Sequence, residues 1–123
     1  MTQEDRQILL KDLSSRLPYG VRYRRFAWDD KREEECISAK IYSISPDGYV
    51  RNYHEDESDY IDNVRPYLFP LSSITKKTLE ELSAYIDIKN AYVAVDLLNS
   101  HHIDYRGLIE KGLAIDATGL NIY

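Results

Sequence analysis

Cys36-Ile37-Ser38-Ala39-Lys40-Ile41-Tyr42-Ser43-Ile44-Ser45-Pro46-Asp47-Gly48-Tyr49-Val50-Arg51-Asn52-Tyr53-His54 is the stretch that decides the fold class. Ile37, Ala39 and Ile41 recur at every second residue, the period of a half-buried strand. Ser45-Pro46-Asp47-Gly48 is turn chemistry, because proline presets the second turn position and glycine accepts a positive φ. Tyr49 to His54 then resumes strand character. Upstream, Val21, Tyr23 and Arg25 alternate with Arg22, Arg24 and Phe26, which predicts a strand from Val21 to Trp28, and the charged run Asp29 to Glu35 reads as a solvated turn. Strands joined by short connections make an antiparallel meander of three strands the economical arrangement.

Helices flank this sheet. Thr2 followed by Gln3, Glu4 and Asp5 places a small N-cap before first-turn carboxylates, and Leu9, Leu13 and Leu17, joined by Ile8 and Leu10, share one face. The pattern predicts a helix from Gln3 to Arg16, ended by Pro18 and Gly20. Glu55 to Asn63 is rich in acidic residues and reads as an exposed loop. Pro66 and Pro70 bracket Tyr67-Leu68-Phe69, so Val64 to Leu71 is expected as an extended edge or crossing segment that can join the meander as a fourth strand. Ser72 or Ser73 can cap a helix carrying Leu79, Leu82 and Ile86. A second C-terminal helix is expected from Lys89 to Ser100, and Asp104 can cap a short third one from Tyr105 to Lys111, stopped by Gly112. The expected fold class is α+β, residues 1–123 forming a single globular domain: an N-terminal helix, the meander, and two to three C-terminal helices packed on one face.

Composition limits the function classes. The single cysteine, Cys36, has no CxxC or zinc-knuckle spacing, so no disulfide framework or cysteine metal site is indicated. The polar, acidic start lacks the features of a secretory signal, and the most apolar run, Ala91 to Leu98, is interrupted by Asp96 and too short to span a bilayer. A cytoplasmic protein with no membrane association is expected. The net charge is −5, from 16 Lys and Arg against 21 Asp and Glu, so nucleic-acid binding requires a separated basic face. Eleven tyrosines against two phenylalanines suit half-buried sheet faces and protein interfaces alike.

Candidate chemistry concentrates in Asn99-Ser100-His101-His102-Ile103-Asp104-Tyr105-Arg106-Gly107. Adjacent histidines point about 100° apart on a helix, so His101 and His102 are poorly spaced for one metal ion, and no metal or cofactor is expected. His101 or His102 with Asp104 could form an oriented imidazole, with Tyr105 and Arg106 polarising a substrate, but no nucleophile signature accompanies them. Cys36 lies in an apolar strand, where cysteines are usually inert. Helix-end physics explains the segment otherwise: histidines close one helix, Asp104 caps the next, Ile103, Leu108, Ile109 and Leu113 face the core, and Gly107 permits close approach of a neighbour. The carboxylates Glu55, Asp56, Glu57, Asp59 and Asp62 lack the spacing and the glycine of an EF-hand. Arg22 and Arg24 share one strand face, with Tyr23 on the other. No RNP-like motif is evident, and Asp29, Asp30 and Glu33 to Glu35 can pair with these arginines, which counts against nucleic acid.

Three blocks carry a resemblance: Leu17-Pro18-Tyr19-Gly20-Val21, Pro66-Tyr67-Leu68-Phe69-Pro70-Leu71-Ser72-Ser73-Ile74-Thr75, and Leu97 through Ala114. Together they resemble a family of small uncharacterised proteins encoded in Bacteroides-type gut bacteria and their phages. That resemblance brings no activity and no catalytic residues. It implies a bacterial cytoplasm and a phage or mobile-element setting, where small accessory proteins commonly act by binding other proteins.

The function expected is therefore a non-catalytic protein-interaction or accessory module, whose surface combines His101, His102, Asp104, Tyr105 and Arg106 as a polar elbow for a protein partner. A small hydrolase using His101 or His102 with Asp104 and Arg106 is the alternative, and nucleic-acid binding through Arg22 and Arg24 is a second.

Overall fold

A computed structural model of the chain describes residues 1–25, 39–53, 58–83 and 91–123. Helix α1 runs over Gln3–Arg16. Thr2 Oγ1 accepts from the Asp5 amide and the Asp5 carboxylate accepts from the Thr2 amide, so a reciprocal capping box starts it. Its buried stripe is Leu9, Asp12, Leu13 and Arg16, spaced to fall on one helical face but half charged.

The antiparallel meander is present. Strand β1 covers Arg22–Arg25, β2 covers Ala39–Ile44 and β3 covers Tyr49–Asn52. Tyr23 lies opposite Ala39 and Ile44 opposite Val50, which directs these side chains toward α1. In the turn between β2 and β3, Gly48 takes φ +93° and its N–H donates to Ser45 O at 3.1 Å. The register shifts between Ile41 and Ser43, a bulge on β2 opposite Asn52 and Arg51. Strand character expected for Phe26–Trp28 and Cys36–Ser38, the charged turn Asp29 to Glu35, and His54 lie outside the described residues.

The sheet is larger than three strands. Ser58–Tyr60 forms β4, Val64–Pro70 forms β5, Ile103–Asp104 forms β6 and Ile115–Asp116 forms β7. The order is β4-β3-β2-β1-β5-β6, with β7 also paired to β5. Two expectations are corrected here. The described part of the acidic loop is β4 followed by a turn of 3-10 helix at Ile61–Asn63, because Asp59 and Ile61 point into the core. And β5 is central, not an edge: it pairs antiparallel with β1 through 64–66 and in parallel with β7 at Tyr67 and Leu68 and with β6 at Phe69 and Pro70. Pro66 lies opposite Tyr23 of β1 and Pro70 opposite Asp104 of β6, while β7 takes Tyr67 and Leu68 between them.

Among the C-terminal helices, α2 spans Lys76–Ser83 and α3 spans Ala91–Ser100. Thr75, not Ser72 or Ser73, caps α2, accepting from the Thr78 amide at 3.2 Å, while Leu71–Ser73 is a 3-10 turn. Ile86, Lys89 and Asn90 lie outside the described residues. The short helix expected from Tyr105 to Lys111 does not form. Gly107 takes φ +72°, a left-handed conformation that interrupts a helical ladder, so the segment is a run of turns, and Gly112, at φ +73°, takes the left-handed conformation expected of it beyond Lys111. Nothing lies within 4 Å of where a Gly107 side chain would start, so its positive φ and not a close neighbour is the reason for glycine. Leu108 and Leu113 still reach the core, packing with Leu9, Leu13, Val21, Val50, Val64 and Leu68 between α1 and the inner sheet face. No described helix is long and apolar enough to cross a membrane.

Candidate functional site

The polar elbow is held from beneath by α1. Arg16, fully buried, donates from Nε to Asp12 Oδ2 at 2.8 Å and from Nη2 to Asp12 Oδ1 at 3.1 Å and to Ile103 O at 2.6 Å. Arg106 reaches the same carboxylate, its Nη1 donating to Asp12 Oδ1 at 2.8 Å. Two guanidinium groups thus share one buried carboxylate, and the ring of Tyr105 meets both, 5.1 Å from Arg16 and 4.7 Å from Arg106. The negative face of that ring offsets part of the surplus positive charge. Tyr105 OH accepts from Arg106 and donates to the buried Asn99 Oδ1, each at 2.8 Å, which closes the network onto α3.

Asp104 is buried, and both of its oxygens are taken: Oδ1 accepts from the Leu108 amide and Oδ2 from the Ile109 amide, each at 2.9 Å. It is a cap, as its position suggested, but for a turn and not for a helix. His101 and His102 do end α3, through their backbone amides, which donate to Leu97 O and Asn99 O. His102 then takes φ +58°, a left-handed conformation uncommon outside glycine, and turns its ring onto that of Tyr123 at 3.6 Å and 12°. Burial, then the charges of Arg16 and His101, lower its pKa from 6.5 to about 4, so the ring is neutral at pH 7. Its Nδ1 makes no hydrogen bond.

The five elbow residues therefore do not form one open corner. His101 is exposed, at the rim of a cavity of about 360 Å³ floored by Phe69, Ile74 and Ile103, while His102 and Asp104 are buried and separately engaged. Neither His101 nor His102 is paired with Asp104, whose oxygens accept from backbone amides, so the two histidines the sequence offered do not form a dyad with it. Among the described residues, no three His, Cys, Asp or Glu side chains gather as metal ligands would. Cys36 and the carboxylates Asp29, Asp30 and Glu33 to Glu35, which were expected to neutralise Arg22 and Arg24, lie outside the described residues.

A second polar cluster stands at the inner edge of the sheet. Tyr23 OH donates to Asp59 at 2.6 Å and accepts from Asn52 Nδ2 at 3.0 Å, and Arg25 pairs with Asp59. Burial and the Asp59 carboxylate raise the Tyr23 pKa well above the usual phenol range. These contacts tie β1, β3 and β4 together beneath the sheet.

The outer face of the same strands is different. Tyr42 is 57 %, Tyr49 44 % and Tyr53 60 % exposed, with Lys40 and Arg51 also exposed beside them. On β3 and the residue after it the outward row reads Tyr49, Arg51, Tyr53, and on β2 it reads Lys40, Tyr42. Tyr42 and Tyr53 meet edge to face at 5.2 Å, Lys40 Nζ lies 5.2 Å from the Tyr53 ring, and Tyr49 leans on Tyr60 at 5.3 Å. Arg22 lies opposite Lys40 and Arg24 opposite Arg65, which sets those arginines on the same face. This face was missed in the sequence because its members come from different strands and the β2 bulge breaks strict alternation at Tyr42 and Ser43. The signal available was the alternation Tyr49, Arg51, Tyr53 itself. No protein-family model matches this chain, and neither a curated protein nor a solved structure shows significant similarity to it.

Proposed function

We propose that this chain is a non-catalytic binding module of the bacterial cytoplasm whose recognition surface is the outer face of β2 and β3. The observation that carries this reading is three tyrosines left largely in solvent yet each held by a neighbour, Tyr42 against Tyr53, Tyr53 beside Lys40, and Tyr49 against Tyr60. Tyrosine and arginine are the residue types that dominate binding hot spots, since each offers a large contact area with a polar tip. Rings already held in mutual contact lose little freedom when a ligand covers them. The elbow supports the same conclusion from the other side. Its carboxylates and guanidinium groups are bound to one another and to the backbone, which leaves no charged group there positioned for proton transfer.

Affinity capture from cells that encode the protein tests this. The wild type and His101→Ala should retain the same stoichiometric ligand, and Tyr42→Ser/Tyr53→Ser should lose it. A ligand kept by the tyrosine variant, or released by His101→Ala alone, overturns the assignment of the surface.

A further inference from the structure

We infer that the ligand of this face is single-stranded nucleic acid, its bases stacked on Tyr42, Tyr49 and Tyr53 and its phosphates met by Lys40 and Arg51. The inference rests on the reading of this face as the recognition surface and goes further by naming its chemistry.

Charge is the first argument. The chain is acidic overall, at −5, but no Asp or Glu occurs among the described outward residues of β1 to β5. That face instead holds Lys40 and Arg51, with Arg22, Arg24 and Arg65, which carry contacts of their own, set beside them by the strand register. A separated basic face is the condition that phosphate binding imposes on an acidic protein.

Composition is the second argument. The described outward residues of β2 and β3, with Tyr53, are Lys40, Tyr42, Ser43, Tyr49, Arg51 and Tyr53, without an aliphatic side chain among them. Tyrosine and arginine serve protein interfaces too, but there they surround an apolar, desolvated centre, whereas here the rings alternate with exposed cations and no aliphatic side chain lies between them. Aromatic rings alternating with cations are instead the composition of a single-strand platform, where π-faces take bases and cations follow the backbone. Duplex nucleic acid is disfavoured because its bases are already stacked, and a sheet face presents no helix or ribbon to enter a groove.

Fluorescence anisotropy of the full chain with labelled oligouridine, oligothymidine, a duplex of equal length and an oligoglutamate peptide tests the inference. Single strands should bind and the duplex should bind at least tenfold more weakly. Tyr42→Ser/Tyr53→Ser should weaken single-strand binding by roughly tenfold or more, and Tyr42→Phe/Tyr53→Phe should restore it, since a phenyl ring stacks without the hydroxyl. Arg51→Gln should reduce the slope of log affinity against log salt by about 0.7, the share of one phosphate on a single strand. Failure of both oligonucleotides to bind, or binding indifferent to the tyrosine pair, overturns the inference. Oligoglutamate bound in their place and lost in Tyr42→Ser/Tyr53→Ser would overturn nucleic acid while leaving the surface standing. The capture experiment, which is blind to ligand class, decides the surface separately.

Discussion

Arg106 Nη1 lies 2.8 Å from Asp12 Oδ1, a contact between residues 94 positions apart that ties the C-terminal segment to α1. Asp12 and Arg16 are fully buried and the Arg106 side chain is 20 % exposed, so one carboxylate faces two cations with little help from water. Arg16 Nη1 makes no hydrogen bond, which adds to what the cluster costs the fold.

Removing the shared anion should therefore be severe. Asp12→Asn is expected to lower stability by about 3–5 kcal/mol in urea unfolding, because it leaves a buried guanidinium uncompensated. Arg106→Gln should cost less, about 1 kcal/mol, since Arg16 continues to pair with Asp12 and water reaches the vacated side. The combined change Asp12→Leu/Arg16→Met/Arg106→Leu should recover most of the Asp12→Asn loss. A triple variant no more stable than Asp12→Asn would show that the ion cluster itself, and not the stranded charge, dominates.

His102 gives the fold a dependence on acid. Its pKa in the folded chain, about 4, lies below the 6.5 of the unfolded chain. As pH falls, the unfolded chain takes up the proton first, so this contribution is whole above pH 6.5 and is lost as pH falls through the folded pKa. The loss is up to about 3 kcal/mol, at 1.36 kcal/mol for each pKa unit. His102→Phe keeps a ring over Tyr123 but cannot titrate. The difference in melting temperature between pH 7 and pH 4.5 should be smaller in that variant than in the wild type. Equal differences would show that other groups carry the acid sensitivity.

At Gly107 the constraint is the backbone alone. Gly107→Ala should cost about 1 kcal/mol through the left-handed φ, with no added penalty for volume, because nothing lies within 4 Å. Gly107→Asn should cost less than alanine, since asparagine tolerates that region. Chemical denaturation of the two variants gives the ranking, and the reverse order would point to a packing role.

Tyr23→Phe removes the hydroxyl that joins Asn52 to Asp59. The expected loss is about 1–3 kcal/mol, the penalty for buried polar groups left unpaired. Tyr42→Ser/Tyr53→Ser, on the solvent side of the same sheet, should cost only about 1 kcal/mol, the scale of an aromatic pair. Comparing the two by thermal unfolding separates a structural tyrosine cluster from an exposed one.

Local chemistry in the chain determined α1 and the hairpin. Thr2 and Asp5 cap the helix three residues apart, and Ser45 to Gly48 turn the strands within four, so neighbours in sequence supply every group those features need. The α+β class followed from the same two periodicities. What only the tertiary structure decided depends on residues that meet from far apart. Asp12 and Arg16 sit at core-facing positions beside Leu9 and Leu13, and nothing local shows that Arg106 and Tyr105 satisfy them there. Strands β6 and β7 are two residues each and exist only because β5 offers them an edge, a pairing with no periodicity of its own. Tyr105 to Lys111 carries helix-like residues, yet the left-handed Gly107 and the doubly engaged Asp104 hold it in turns. The tyrosine face emerges only when register and a bulge bring Tyr42, Tyr49 and Tyr53 to one side of the sheet. Periodicity specifies which way a side chain points along one strand, whereas a surface is made by the alignment of several, and that alignment is set by the packed core beneath it.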